Sequence, residues 1–403
     1  MLRFHGVLTQ HKRRFSSSTL SNFNWLHRGQ EWEYSYTVLN PDHNIDAKAT
    51  FVLFPSTTLL TTREEWRECA GFLTGMGYRC ILIDWPGWHQ RNIPLNWALE
   101  EDVNDRTLVS AFTHFAYSAL KHFDVSYSDV PLHLAVCGGN SAIHIRRALQ
   151  EANMDSPTRF KSISCFSPTW RFYLSRYVPE GYPRKFARRQ AIAEAVLDGC
   201  FVRSKNMFRL YKSKVGLSKL TKRLYEEPVH CHPERFESKK EVITRDRPLS
   251  IDAAMITGRF DPVSSTEQFI SELFGIHSSQ SSNEGSVSDD DEDDDNLLSI
   301  KVPQWAKNGS TDEAPGSISS STAESDIAVH LVIPEDAVNK DKSEMRIVSD
   351  WANHHDATVS SIPGRLFCHE ESPALSASLL DEFVSTKSKV TQDEKKRTYA
   401  QID

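Results

Sequence analysis

No run of about 18 or more apolar residues occurs in the 403-residue chain, so no segment is suited to cross a bilayer as a helix. The seven cysteines (Cys69, Cys80, Cys137, Cys165, Cys200, Cys231 and Cys368) are odd in number, scattered and without a C-x-x-C pair. That argues for buried apolar thiols in a reducing compartment rather than a disulfide framework. His230-Cys231-His232 lacks a second ligand half at the spacing a tetrahedral zinc site needs. It reads as a solvated loop, and no metal or cofactor is expected. Acidic residues are missing before Glu31, while Arg3, Lys12, Arg13, Arg14 and Arg28 accompany Ser16-Ser17-Ser18. A basic, hydroxylated, acid-free start has the composition of an organelle transit peptide. Arg13-Arg14-Phe15-Ser16 resembles a mitochondrial processing site, and a chloroplast address is the competing reading.

A net charge of −7 would suggest an acidic surface, but Asp289 to Asp295 alone contribute seven carboxylates. Such a block repels itself and stays solvated, which leaves the remaining chain close to neutral. It lies in a Ser-, Asp- and Gly-rich stretch, residues 277–326, that offers too little apolar surface to offset its ordering entropy.

What is present is an alternation of strands and helices. Glu31 to Val38 has the period of two of a half-buried strand. Thr50–Phe54 is a continuous apolar run, as expected of a strand covered on both faces. Cys80–Ile83, Leu132–Cys137 and Ile327–Ile333 read as further buried strands, and Lys161–Phe166 as another strand. Ala357–Ile362 reads as the last strand. Thr62-x-x-Glu65 forms a capping box ahead of a helix, and residues 107–123 and 142–149 are helical. This order predicts an α/β fold: a doubly wound, mostly parallel sheet with ligands at the carboxyl ends of its strands. Residues 1–30 lie outside it as a transit peptide or disordered start. The core runs over 31–170, with a helical cap at 171–250 and a core helix region at 251–276. It resumes at 327–386 and ends in a disordered tail, 387–403. Between Arg171 and Tyr225 fourteen Lys or Arg face only Glu180, Glu194 and Asp198. The basic stretch Arg184, Lys185, Arg188 and Arg189 suits a solvated helix face or peripheral contact with an anionic membrane. No nucleic-acid module accompanies it, so no nucleic-acid partner is expected.

The order strand–Ser elbow–helix, then an acid, then a His is the arrangement of an α/β-hydrolase. Gly139-Asn140-Ser141-Ala142-Ile143 puts Ser141 at the elbow tip but leaves β-branched Ile143 where a small residue is needed. Gly138-Gly139-Asn140-Ser141-Ala142 satisfies both small positions and puts Asn140 at the tip. His369 follows the last strand as candidate base, and Glu335, Asp336 or Asp261 could orient it. The backbone N–H groups of Ser56, Thr57 and Ala142 are the candidate oxyanion donors.

Pro55-Ser56-Thr57, Arg63-Glu64-Glu65-Trp66, Asp84-Trp85-Pro86-Gly87, Ser167-Pro168-Thr169-Trp170-Arg171, Thr257 to Pro262 and His369-Glu370-Glu371 resemble the α/β-hydrolase superfamily. They are most similar to a cyanobacterial and plastid branch whose members often carry a non-Ser residue at the elbow tip. The resemblance implies the α/β-hydrolase fold from about Ala49 to Phe383. Two functions are compatible with it. One is a Ser–His–acid hydrolase of an ester, thioester or lipid-like substrate. The other is an inactive α/β-hydrolase-fold protein that binds a small ligand or a protein partner.

Overall fold

A computed structural model describes residues 18–27, 29–42, 45–58, 60–86, 107–170, 213–243, 261–263, 266–275, 327–354 and 357–400. All belong to one of two contact units; the other, His277–Ser325, falls outside the described residues and holds the acidic block. The basic stretch at residues 184–189 also falls outside them.

Eight strands form one sheet: β1 (Ser18–His27), β2 (Gln30–Leu39), β3 (Thr50–Phe54), β4 (Arg79–Leu82), β5 (Leu132–Cys137), β6 (Phe160–Phe166), β7 (Ala328–Pro334) and β8 (Thr358–Ile362). Their spatial order is β1-β2-β4-β3-β5-β6-β7-β8. β1 and β2 are antiparallel, β2 is antiparallel to β4, and every later pairing is parallel. This strand order is that of the α/β-hydrolase fold. The central strands β3 and β5 are buried at every residue, because helices cover both faces.

Nine α-helices are described: α1 (Arg67–Gly75), α2 (Thr107–Ser126), α3 (Gly139–Asp155), α4 (Lys214–Thr221), α5 (Pro233–Ile243), α6 (Thr266–Phe274), α7 (Asn339–His354), α8 (Cys368–Glu371) and α9 (Pro373–Ala400). One face of the sheet packs Val52, Phe54, Ile81 and Val136 with Phe112, Phe115 and Ile145 from α2 and α3. The other packs Phe51, Leu53 and Leu82 with Cys69 and Leu73 of α1 and Leu380 and Phe383 of α9.

Two boundaries differ from those read in the sequence. Residues 1–30 were expected to lie outside the fold, yet Ser18–His27 pairs along its whole length with Gln30–Leu39. Phe23 and Trp25 are the reason: both are buried, and the Trp25 ring meets Phe115 edge-on at 5.3 Å. Two aromatics two residues apart supply one apolar strand face, which outweighs the surrounding serines and asparagines. At the other end the closing helix continues to Ala400, into the segment expected to be a disordered tail.

Candidate functional site

β5 runs to Cys137 and α3 begins at Gly139, so the residue between them, Gly138, forms the turn. Its φ of 82° is the left-handed backbone expected at the tip of a strand–helix elbow. The elbow therefore reads Val136-Cys137-Gly138-Gly139-Asn140, and its tip carries no side chain. Both registers read in the sequence place the tip too late. Ser141 is instead the third residue of α3; it is fully buried, and its hydroxyl donates to the Pro55 carbonyl at 2.9 Å. Asn140 donates its side-chain amide to Asp261 at 3.1 Å, which ties Asp261 to the elbow rather than to His369. The glycine pair is required by space: a Cβ on Gly139 would come within 2.8 Å of the Phe269 ring and 2.9 Å of the Thr169 carbonyl.

Two N–H groups in the positions of oxyanion donors are already bonded inside the protein. Gly139 N, directly after the tip, donates to the Thr169 carbonyl at 2.8 Å. Ser56 N, just beyond β3, donates to Glu65 Oε1 at 3.2 Å. Ala142 N makes an ordinary helical bond to the Gly138 carbonyl at 3.2 Å. Thr57 lines the adjoining cavity. The Thr169 bond gives the Ser167-Pro168-Thr169-Trp170 segment a physical role. Ser167 has a φ of 52° and donates its hydroxyl to Leu366 O at 2.7 Å, turning the chain so that Thr169 reaches Gly139.

His369 opens α8 and is fully buried, with Trp66 at 4.3 Å and Phe367 and Phe166 at about 6 Å between ring centres. Its Nε2 lies 3.3 Å from Glu65 Oε1. That is ion-pair distance without hydrogen-bond geometry, and neither ring nitrogen makes a hydrogen bond. Glu65 is the residue that sequence reasoning missed. It was read as the partner of Thr62 in a capping box; its carboxylate turns inward to Ser56 N and His369 instead. A glutamate on the opening turn of a helix gives no local sign of this, since capping explains it fully.

The two acids expected after β7 stand elsewhere. Glu335 and Asp336 are exposed, and Asp336 Oδ2 accepts from Gly364 N at 3.0 Å. Among the described residues, Glu65 is the carboxylate that lies within 4 Å of His369. Beside it, Lys239 of α5 sits 3.2 Å from Glu370 and 3.9 Å from Glu65, and Arg235 reaches Glu370 at 3.2 Å. Tyr225 donates its hydroxyl to Glu370 at 2.6 Å. Burial alone would raise the Glu370 pKa, but Lys239, Arg235 and the Tyr225 hydroxyl outweigh it and hold the carboxyl below its usual range. Burial pushes the Cys137 thiol well above the ordinary value and the Cys368 thiol up to about 12. Neither is a poised nucleophile.

A cavity of about 80 Å³ opens over the elbow. Ser56, Thr57, Thr58, Asn140, Ser167 and Thr169 give it a polar side; Leu224, Leu366 and Phe367 give it an apolar one. It lies at the carboxyl ends of β3, β5 and β6, where open α/β sheets bind ligands.

No family model matches the chain, and no curated protein matches it. Among solved structures it is similar to a serine hydrolase of the polyaromatic-hydrocarbon-degrading bacterium Cycloclasticus zankles. Identity is 11%, TM-score 0.47, with 91% of this chain and 98% of that one covered. It is also similar to a peroxisomal α/β-hydrolase of Saccharomyces cerevisiae (10% identity, TM-score 0.48, covering 92% and 90%). A third is a thermostable carboxyl esterase of Bacillus coagulans (9%, 0.47, covering 90% and 98%). The fold assignment rests on the strand order.

Proposed function

We propose that this chain is a non-hydrolytic α/β-hydrolase-fold protein that binds a small ligand in the cavity above its elbow. The observation that carries the reading is Gly138 at the tip, with the N–H of Gly139 bonded to Thr169. Acyl transfer needs a nucleophile there and a free donor for the developing oxyanion. The lining, with Leu224, Leu366 and Phe367 beside the hydroxyls of Ser56, Thr57, Thr58, Ser167 and Thr169, favours a small, largely apolar ligand with a few polar groups. The acid-free N-terminal segment supports import into a mitochondrion or chloroplast. Among the described residues, no helix is long and apolar enough to cross a membrane.

The opposing reading is a serine hydrolase in which Ser141 attacks, His369 carries the proton and Asp336 or Glu335 orients it. Ser56, Thr57 and Ala142 would then hold the oxyanion. Its support is His369 itself, which follows the last strand where a hydrolase keeps its base. A fluorophosphonate probe separates the two. Purified folded protein is expected to remain unlabelled. Labelling that vanishes in both Ser141→Ala and His369→Ala would establish an activated serine and overturn the binding reading.

A further inference from the structure

Glu65, Cys137 and His369 bring a carboxylate oxygen, a thiol sulfur and an imidazole nitrogen within 4.8 Å of one another, all three residues buried. They come from three separate elements: the short 3-10 helix Arg63–Trp66, the end of β5 and the start of α8. His369 Nδ1 and Nε2 and Glu65 Oε2 make no hydrogen bond. Nε2 has Glu65 Oε1 at 3.3 Å and Glu65 Oε2 has Lys239 at 3.9 Å, but neither contact is a hydrogen bond, and Nδ1 has no hydrogen-bond partner either. Buried polar groups of this kind call for a further partner. A carboxylate, a thiolate and an imidazole lone pair all favour a cation as that partner.

We propose that these residues form a transition-metal site, with Zn2+ as the ion it takes. One sulfur, one nitrogen and one oxygen donor make a borderline-soft set that suits zinc. Zinc–donor bonds of roughly 2.0–2.3 Å would need the three atoms to draw together by about 1 Å. Cys137 binds as thiolate and releases its proton to solvent. Lys239 lies 3.2 Å from Glu370 and 3.9 Å from Glu65, so zinc would share the Glu65 carboxylate with an ammonium whose nearer partner is Glu370. Cys137 also lines the cavity above the elbow, so a fourth donor can come from water or from a bound ligand. The site does not depend on the binding reading given above, and serine labelling leaves it untouched.

The test uses the full chain, stripped with a chelator, desalted and reloaded with Zn2+ or Co2+. Elemental analysis is expected to find one equivalent of zinc retained. The Co2+ form is expected to show a near-ultraviolet thiolate-to-cobalt band. Competition against a chromophoric chelator is expected to show at least a tenfold loss of affinity in both Cys137→Ser and His369→Gln, and none in Cys231→Ser. The last variant controls for the exposed His230-Cys231-His232 loop. If the Cys137 and His369 variants do not fold, the cobalt band of the folded Cys231→Ser chain decides: its presence supports the site and its absence overturns it. Absence of that band, retention well below one equivalent, or zinc loss only in Cys231→Ser would overturn the proposal.

Discussion

Gly138 and Ser141 show how much depends on single positions. The Gly138 φ of 82° is costly for any residue with a side chain, and a Cβ there would stand 3.3 Å from Ser56 Cβ. Gly138→Ala is therefore expected to lower stability by about 1–3 kcal/mol, read from the midpoint of urea unfolding. An unchanged midpoint would show that the turn relaxes and is not held by its neighbours. Ser141→Ala should cost less, about 1 kcal/mol or below. The Pro55 carbonyl it abandons still accepts Trp85 Nε1 at 2.7 Å, so no buried acceptor is orphaned.

At the level of elements, the charges around Glu370 fasten the cap helix α5 to the core. Lys239 and Arg235 on α5 meet Glu370 on α8, and Lys239 also faces Glu65 in the 3-10 helix. Lys239 is almost wholly buried. A buried pair adds little net stability, but removing one partner strands the other charge. Lys239→Met is expected to cost about 3 kcal/mol, the low end for such a loss, because Arg235 still compensates Glu370. The double variant Lys239→Met/Glu370→Met should recover part of that cost in the same unfolding measurement. A double variant less stable than the single one would mean that the charges themselves stabilise the fold. The strands carry a similar device: His133 on β5 bonds Ser162 at 2.8 Å, and His330 on β7 bonds Ser164 at 3.2 Å and Ser360 at 3.0 Å. These histidines sit inside a parallel sheet because serines on neighbouring strands satisfy them, a pairing that the apolar runs alone do not disclose.

Over the whole molecule the buried histidines set the response to acid. Burial lowers His133 and His330 to about 4 and His144 to about 3. Unfolded, each takes up its proton near pH 6.5. Between those values the unfolded chain binds more protons, so stability falls as pH falls below about 6.5 and is unaffected by these groups above it. Each contributes a slope of about 1.4 kcal/mol per pH unit in that window. The urea midpoint is expected to drop steadily from pH 6.5 to pH 5 and to be flat from pH 7 to pH 8. A midpoint that holds between pH 6.5 and pH 5 would show that these rings are already protonated in the fold.

The sequence alone determined the class of fold. Strand and helix periods are local, and short, mostly apolar strand segments alternating with helical patterns favour a covered parallel sheet. It also located His369 after the last strand and the glycines of the elbow. Tertiary structure decided the rest. Ser141 and Asn140 were both credible tips, because a turn of one residue leaves no periodic signal; the structure puts the positive-φ turn at Gly138 and both residues inside the helix. Glu65 looked like a helix cap, and its approach to His369 depends on how the loop after β3 folds back under α8. The occupied N–H of Gly139 depends likewise on a carbonyl delivered from beyond β6. Such contacts join segments remote in sequence, and their geometry is set by packing, which no local pattern encodes.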